Sequence, residues 1–357
     1  MEREPQVYYP KQAQIFISEV CSERCRYCSY TSMSAEQNRG LLSRELPIEQ
    51  WQDAVKFLYE VMGIKLIALI GGEPAAKKGV ESLVGFINKE IPEVKTLFVS
   101  SGIPLLKNDD LRQKLVEAGL TNIIVSVDGI KEEPKLEIDL TRELRELKRG
   151  SQRKSTLGLY FLLKLREEYP DIPFKFGAGC IVNKETLKFI LPTYHYLAAH
   201  RIYLNLCPEQ TECVGLKSET VLTEEDKPSL RELTDELVRI KRRSGNFLMN
   251  SENFLEQLST MGVDQSYKCS GRPFPTTIHI GSDGRIPFCN WRKGDMKEKF
   301  NIMDLVKGEK DFREWLVAWQ NDKNSKACSC SWSFPDRVGD FHQIFPPINP
   351  NIWYGCV

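Results

Sequence analysis

The chain has 357 residues, 41% of them hydrophobic, and its 49 Lys plus Arg equal its 49 Asp plus Glu. That length holds about two domains and a sizeable core, and the balanced charge excludes a broad electrostatic pull toward nucleic acid or an anionic membrane. The start, Met-Glu-Arg-Glu-Pro-Gln, lacks the apolar core of a secretion signal, and no apolar run approaches the ~18 residues of a membrane span, so a cytoplasmic protein is expected. In that compartment eleven cysteines point to metal or catalytic roles before disulfides.

In chain order, Gln14 to Val20 reads as the first strand, and Cys21, Cys25 and Cys28 follow in the run Cys-Ser-Glu-Arg-Cys-Arg-Tyr-Cys. Four cysteines close an electron-transfer cluster; three leave a metal position open, as catalytic metal sites do. Zinc is the alternative, but zinc knuckles use paired Cys-x2-Cys units, and no second pair follows at a suitable distance. Ile48, Trp51, Val55, Leu58 and Met62 recur at helical spacing, with Gly63 as a stop. Ile64 to Ile70 is a continuous apolar strand of the kind buried on both faces, and it ends at Gly71-Gly72-Glu73-Pro74. The third strand is Thr96 to Val99, running into Ser100-Ser101-Gly102, and a helix spans Asp109 to Ala118. The fourth, Asn122 to Val127, leads to Asp128-Gly129, after which a charged stretch, Lys131 to Lys154, reads as an excursion that becomes helix near Thr156. Strands five and six fit Phe174 to Val182 and Arg201 to Leu206, and a helix with Leu230, Leu233, Leu237 and Ile240 on one face begins at Thr223.

This alternation is the signature of βαβ units on a parallel sheet. The expected fold class is α/β, a partial (β/α)6 TIM-like barrel with its site at the C-terminal strand ends. After Gly245 the alternation stops, which divides the chain into 1–245 and 246–357. In the second part Thr276 to Ile280 and Arg285 to Phe288 flank Gly-Ser-Asp-Gly and read as a β-hairpin. A helix-like stretch, Phe312 to Trp319, and a tail rich in Pro and aromatics, Trp332 to Val357, follow.

The cysteine loop after the first strand, with Tyr27 before its last cysteine and Gly71 to Pro74 one β/α unit later, resembles the radical S-adenosylmethionine (SAM) enzymes. The resemblance implies a 4Fe-4S cluster on Cys21, Cys25 and Cys28 whose fourth iron binds SAM, with Tyr27 beside it. It implies that Gly71 and Gly72 let backbone carbonyls approach the methionine ammonium, that Glu73 accepts a further bond from it, and that Pro74 completes the cofactor-binding turn. Ser101, Ser126 and Asp128 resemble positions that contact the ribose hydroxyls and the carboxylate, and Arg149 and Asn183 are further candidates. Capping of the following turn is the alternative for Ser126 and Asp128, and an exposed helix arginine for Arg149.

Cys269, fourteen residues, Gly284, four residues and Cys289 resemble the auxiliary-cluster motif of the SPASM and twitch extensions, with Cys328 and Cys330 completing four ligands. Cys-x-Cys replaces the usual Cys-x2-Cys, so Cys356 could substitute for one of them, and the cysteine count fits the shorter twitch type with one auxiliary 4Fe-4S cluster. Buried structural thiols are the alternative. Cys207, at the end of strand six, is the catalytic candidate, a thiol able to return a hydrogen atom; an inert buried cysteine is the other reading, as for Cys180 and Cys213. His195 and His200 read as ordinary helix residues, and Tyr8, Tyr9, Glu209 and Asp283 are the only guesses for a general base.

The function implied is reductive cleavage of SAM to a 5′-deoxyadenosyl radical that abstracts hydrogen from an unactivated C–H bond, with oxidation, epimerisation or bond formation as the outcome. The electron would come from a flavodoxin- or ferredoxin-type donor. Only 20 residues precede Cys21, too few for a leader-binding domain, which favours a small-molecule substrate over a peptide. A non-catalytic iron-sulfur or zinc protein would leave Gly71 to Pro74 unexplained.

Overall fold

A computed structural model of the protein describes residues 10, 12–21, 23, 25, 28, 40, 42–130, 153–209, 219–243, 245–261, 277–287 and 300–315. Its strands are β1 (Gln12–Ser18), β2 (Leu66–Gly71), β3 (Lys95–Ser100), β4 (Asn122–Ser126), β5 (Lys175–Val182), β6 (Tyr203–Pro208) and β7 (Thr277–Ile280). They form one parallel sheet in the order β6-β5-β4-β3-β2-β1-β7. The helices are α1 (Ile48–Glu60), α2 (Val80–Glu90), α3 (Ile103–Lys107), α4 (Asp109–Glu117), α5 (Arg153–Glu168), α6 (Ile190–Ala199), α7 (Lys227–Lys241), α8 (Glu252–Met261) and α9 (Ile302–Val306). This is the expected α/β partial TIM barrel, with a seventh strand added. No helix of the described residues is long and apolar enough to cross a membrane.

The period of two along each strand sorts the side chains onto two faces. Ala13, Ile15 and Ile17 of β1, Ile67 and Leu69 of β2 and Ile123 and Val125 of β4 lie in the main core with Trp51, Leu83, Phe161 and Leu237 of the helices. The alternate residues Leu66, Ala68, Leu97 and Ile124 gather with Met249 in a smaller cluster on the other face, flanked by Ile70, Val99 and Tyr203. That cluster is the apolar floor of the barrel interior. Further along the same face come Ser126 on β4 and Cys207 on β6, the latter in register with Ile181 of β5.

Several expectations change; among them, the sixth strand begins at Tyr203, two residues late, and the helix expected from Thr223 begins at Lys227. The first strand begins at Gln12, two residues early, because pairing with β2 and β7 starts there. Helix α5 begins at Arg153, ahead of the expected Thr156. The segment read as the first arm of a hairpin is β7, which pairs in parallel with β1 from Gln12↔Thr277 to Ile15↔Ile280. Its Ile278 and Ile280 are thereby buried in the helix-side core. The turn is still tight, with Gly281 N–H donating to Arg285 O at 2.8 Å, but the second arm bridges Asn301 and Ile286 donates to Phe300 O. Of Phe312 to Trp319, residues 312–315 are helical and the rest lies outside the described residues.

Asn301 caps α9 through Met303 N–H at 2.9 Å and donates to Asp283 O at 2.9 Å, tying helix to turn. Asn301→Ala is expected to cost about 1 kcal/mol, read as a lower urea midpoint. An unchanged midpoint would show that the turn stands without this link.

Candidate functional site

The site is built where β1 and β2 end. Register slips after Phe16, so that Ser18 faces Gly71. Gly71 has φ +135°, and a Cβ there would lie 2.1 Å from Ser18 O; a Cβ on Gly72 would lie 2.5 Å from Val20 O. Glycine is required by this close approach. Gly72 N–H donates to Ser18 O and Glu73 N–H to Val20 O, both at 2.8 Å. The turn is thus stitched to Ser18 and Val20, in the segment that leads into Cys21.

Cys21, Cys25 and Cys28 are thiols, each partly exposed. Cys28 N–H donates to Cys25 O at 3.1 Å, closing a turn between those ligand candidates. Burial pushes the Cys21 thiol up to about 12, and the Glu73 charge acts the same way against the Glu23 amide that donates to its sulfur at 3.4 Å. Ligation would therefore release a proton from Cys21. Lys154 Nζ donates to Cys25 Sγ at 2.8 Å. Burial opposes the charge of Lys154, yet Cys25, Asp128 and Glu23 outweigh it and leave its pKa above the ordinary lysine value. Among the described residues no three His, Cys, Asp or Glu gather as tightly as one metal ion needs; a cubane, whose cysteines sit on different irons, does not ask them to. Three thiols on one loop, with a cation against one sulfur, fit such a cluster.

Glu73 is bonded by neighbouring protein donors. Its Oε1 accepts from Ser100 Oγ at 2.7 Å and Ala75 N–H at 3.2 Å, and its Oε2 from Ser101 N–H and Oγ, both at 2.9 Å. A carboxylate offers about four lone-pair sites, so protein donors fill it. At 2% exposure it joins the turn after β2 to the end of β3, and Pro74 opens the short 3-10 turn Pro74–Ala76 that it caps. Burial holds its carboxyl above the usual range, against those donors.

Helix α5 crosses the ends of β3 and β4. Gly158 permits this, since a Cβ there would lie 3.1 Å from Ser101 O and 3.6 Å from Ser126 O. The same approach brings Ser155 Oγ to the Asp128 N–H at 2.8 Å. Sequence reasoning missed Lys154 and Ser155, which sat at the edge of a charged stretch; the available signal was their place just ahead of an apolar helix that must meet the strand ends. It also missed Glu45, whose Oε1 accepts from Ser18 Oγ at 2.8 Å and Glu19 N–H at 3.3 Å. Glu45 pairs with Lys77 at 3.1 Å in a largely buried bridge. The next residue, Leu46, donates its N–H to Ser282 O at 2.8 Å, which docks the Gly281–Gly284 turn beside the lead-in to the cysteine loop.

Farther round the sheet, Asn183 at the end of β5 donates to Glu209 Oε2 at 2.7 Å, and Thr220 Oγ1 also donates to that carboxylate. Cys207 lies on the interior face, where Asn205 Nδ2 donates to its sulfur at 3.8 Å; Asn250 in turn donates to Asn205 Oδ1. Burial, then Asp128 and Cys207, push the Cys180 thiol well up, keeping it neutral in the core. His200 contacts the Tyr196 carbonyl through its ring nitrogen, an ordinary helix-end arrangement. Thus Cys21, Cys25, Cys28, Gly71, Gly72, Glu73, Ser101 and Asp128 are brought together, Ser126 ends the neighbouring strand, and Cys207 stands on β6, the edge strand of the sheet opposite β7. Tyr27, Arg149, Cys269, Cys289, Cys328 and Cys330 lie outside the described residues.

Residues 15–161 match the Radical SAM superfamily. A GTP 3′,8-cyclase of Helicobacter pylori is 27% identical over 146 residues, 41% of this chain and 43% of that protein. One from Clostridium perfringens is 32% identical over 120 residues, 33% of this chain and 35% of that protein. The chain thus matches less than half the length of these curated relatives. Among solved structures, anSMEcpe with bound AdoMet aligns at TM-score 0.57 with 19% identity over 94% of this chain and 98% of that one. Streptococcus suis SuiB aligns at 0.56 with 18% identity over 88% and 66%. At such identity the likeness shows the fold, the parallel partial barrel. The superfamily match spans the cysteine loop, the Gly71–Pro74 turn and the start of α5, less than half of the chain, and over that segment the chain is similar to the radical SAM enzymes.

Proposed function

We propose that the protein holds a 4Fe-4S cluster on Cys21, Cys25 and Cys28, leaves the fourth iron to SAM, and removes hydrogen from a C–H bond of a small molecule. The observation that carries this reading is the Gly71–Glu73 turn, hydrogen-bonded through Ser18 and Val20 to the start of the three-thiol loop. When bound, the cluster and SAM supply a 5′-deoxyadenosyl radical for oxidation, epimerisation or bond formation. The protein's part is to bind, orient and exclude. Backbone carbonyls at Gly71 and Gly72 would receive the methionine ammonium, since the Glu73 carboxylate already accepts from Ser100, Ser101 and Ala75. Ser101, Ser126 and Asp128 take the ribose and carboxylate, with Tyr27 and Arg149 assigned beside them from the sequence. Cys207 is the interior thiol assigned to return a hydrogen atom.

Residues 246–357 form the second unit of this proposal, with an auxiliary cluster on Cys269, Cys289, Cys328 and Cys330. The tight Gly281–Gly284 turn, docked on Leu46, supports it, because the motif glycine then lies beside the first site. The electron donor is of the flavodoxin or ferredoxin class. The GTP cyclases, whose substrate is a nucleotide, support a small molecule. A peptide substrate is the second reading, favoured by SuiB, solved bound to precursor peptide SuiA, and by anSMEcpe, solved with the Cp18Cys peptide.

Iron counting after anaerobic reconstitution tests the cluster assignment. About eight irons per chain are expected for wild type and about four after Cys21, Cys25 and Cys28 are all changed to Ala. Equal iron in the two proteins would contradict it.

A further inference from the structure

We propose that Lys154 is a positioning residue that sets how readily the loop cluster accepts its electron. This rests on the reading that Cys21, Cys25 and Cys28 hold that cluster. Lys154 lies in the first turn of α5 with its Nζ 2.8 Å from Cys25 Sγ. It is 4% exposed, whereas lysine is almost never buried without a partner. Gly158, one turn further on, lets the helix lie against Ser101 O and Ser126 O, which fixes the ammonium at this place. The cation is committed to a sulfur that would be a cluster ligand.

Hydrogen bonds to cluster sulfurs and local charge set an iron-sulfur potential. Reduction adds one electron, and so one negative charge, to the cluster, with no bond made or broken. A buried cation at a ligand sulfur, where screening by water is weak, stabilises the reduced state more than the oxidised one. The electron comes from dithionite in the test and from the flavodoxin- or ferredoxin-class donor in the cell.

The test is an EPR-monitored redox titration of the reconstituted full chain. It follows the signal that is absent when Cys21, Cys25 and Cys28 are all Ala, which separates the loop cluster from any other. Lys154→Met is expected to make reduction about tenfold less favourable, a midpoint lower by about 59 mV for one electron. Lys154→Arg, which keeps a cation and donors, is expected to stay within about threefold of wild type. A loaded Lys154→Met cluster with an unchanged midpoint would overturn the proposal. Lys154→Gln guards against simple misfolding: loss of iron from both neutral variants would also overturn it, in favour of a purely structural lysine. Absence of the loop signal in wild type would instead overturn the cluster assignment beneath it.

Discussion

Gly71→Ala is expected to lower the unfolding free energy by about 3 kcal/mol or more, combining backbone strain of ~1–3 kcal/mol with an overpacking term of ~1–3 kcal/mol. The methyl has nowhere to go. At φ +135° its carbon would sit 2.1 Å from Ser18 O, and that oxygen cannot retreat, because it already receives Gly72 N–H. Relief requires the β1 and β2 ends to part, and that separates the Gly71–Pro74 turn from the cysteine loop. Urea unfolding should show the loss, and reconstituted protein should hold less iron on the loop. Gly63→Ala supplies the comparison: its φ is +67° but a Cβ would meet nothing within 4 Å, so only strain is added. Equal losses at the two positions would show that the contact with Ser18 is unimportant.

The second large effect belongs to Glu73. Glu73→Ala strands the buried N–H of Ser101, the N–H of Ala75 and two serine hydroxyls, and unsatisfied buried donors cost ~1–3 kcal/mol each. A total of about 3–5 kcal/mol is expected, with Glu73→Gln losing roughly half because one oxygen still accepts. The measurement separates two roles. If Glu73 is a brace, stability falls in step with SAM affinity across the pair of variants. If it is a direct ligand of the methionine ammonium, affinity falls and the urea midpoint stays.

Those donors to Glu73 were hidden in the sequence, while the turn itself was not. Gly71 to Pro74 announced a tight strand end, but the donors that fill Glu73 come from Ser100 and Ser101, one strand away. Strands two to six were legible because runs such as Ile64 to Ile70 are short, apolar and bounded by glycine, with helical patterns between them. β7 was misread because Gly-Ser-Asp-Gly carries a strong local hairpin signal, whereas its true partner, β1, lies at the far end of the chain. Lys154 was submerged in a charged stretch, since such stretches are solvated by default and only the fold brings Cys25 against its amine. The three loop thiols needed no fold to be noticed; the hydrogen bonds from Gly72 and Glu73 to Ser18 and Val20 just ahead of them did.

The central claim is that this loop and turn together start radical chemistry. The most direct measurement quantifies 5′-deoxyadenosine from SAM and dithionite under anaerobic conditions, for wild type beside the protein with Cys21, Cys25 and Cys28 changed to Ala. Deoxyadenosine from wild type alone is the predicted result. Equal amounts from both, or none from an iron-replete wild type given its electron, would contradict the account.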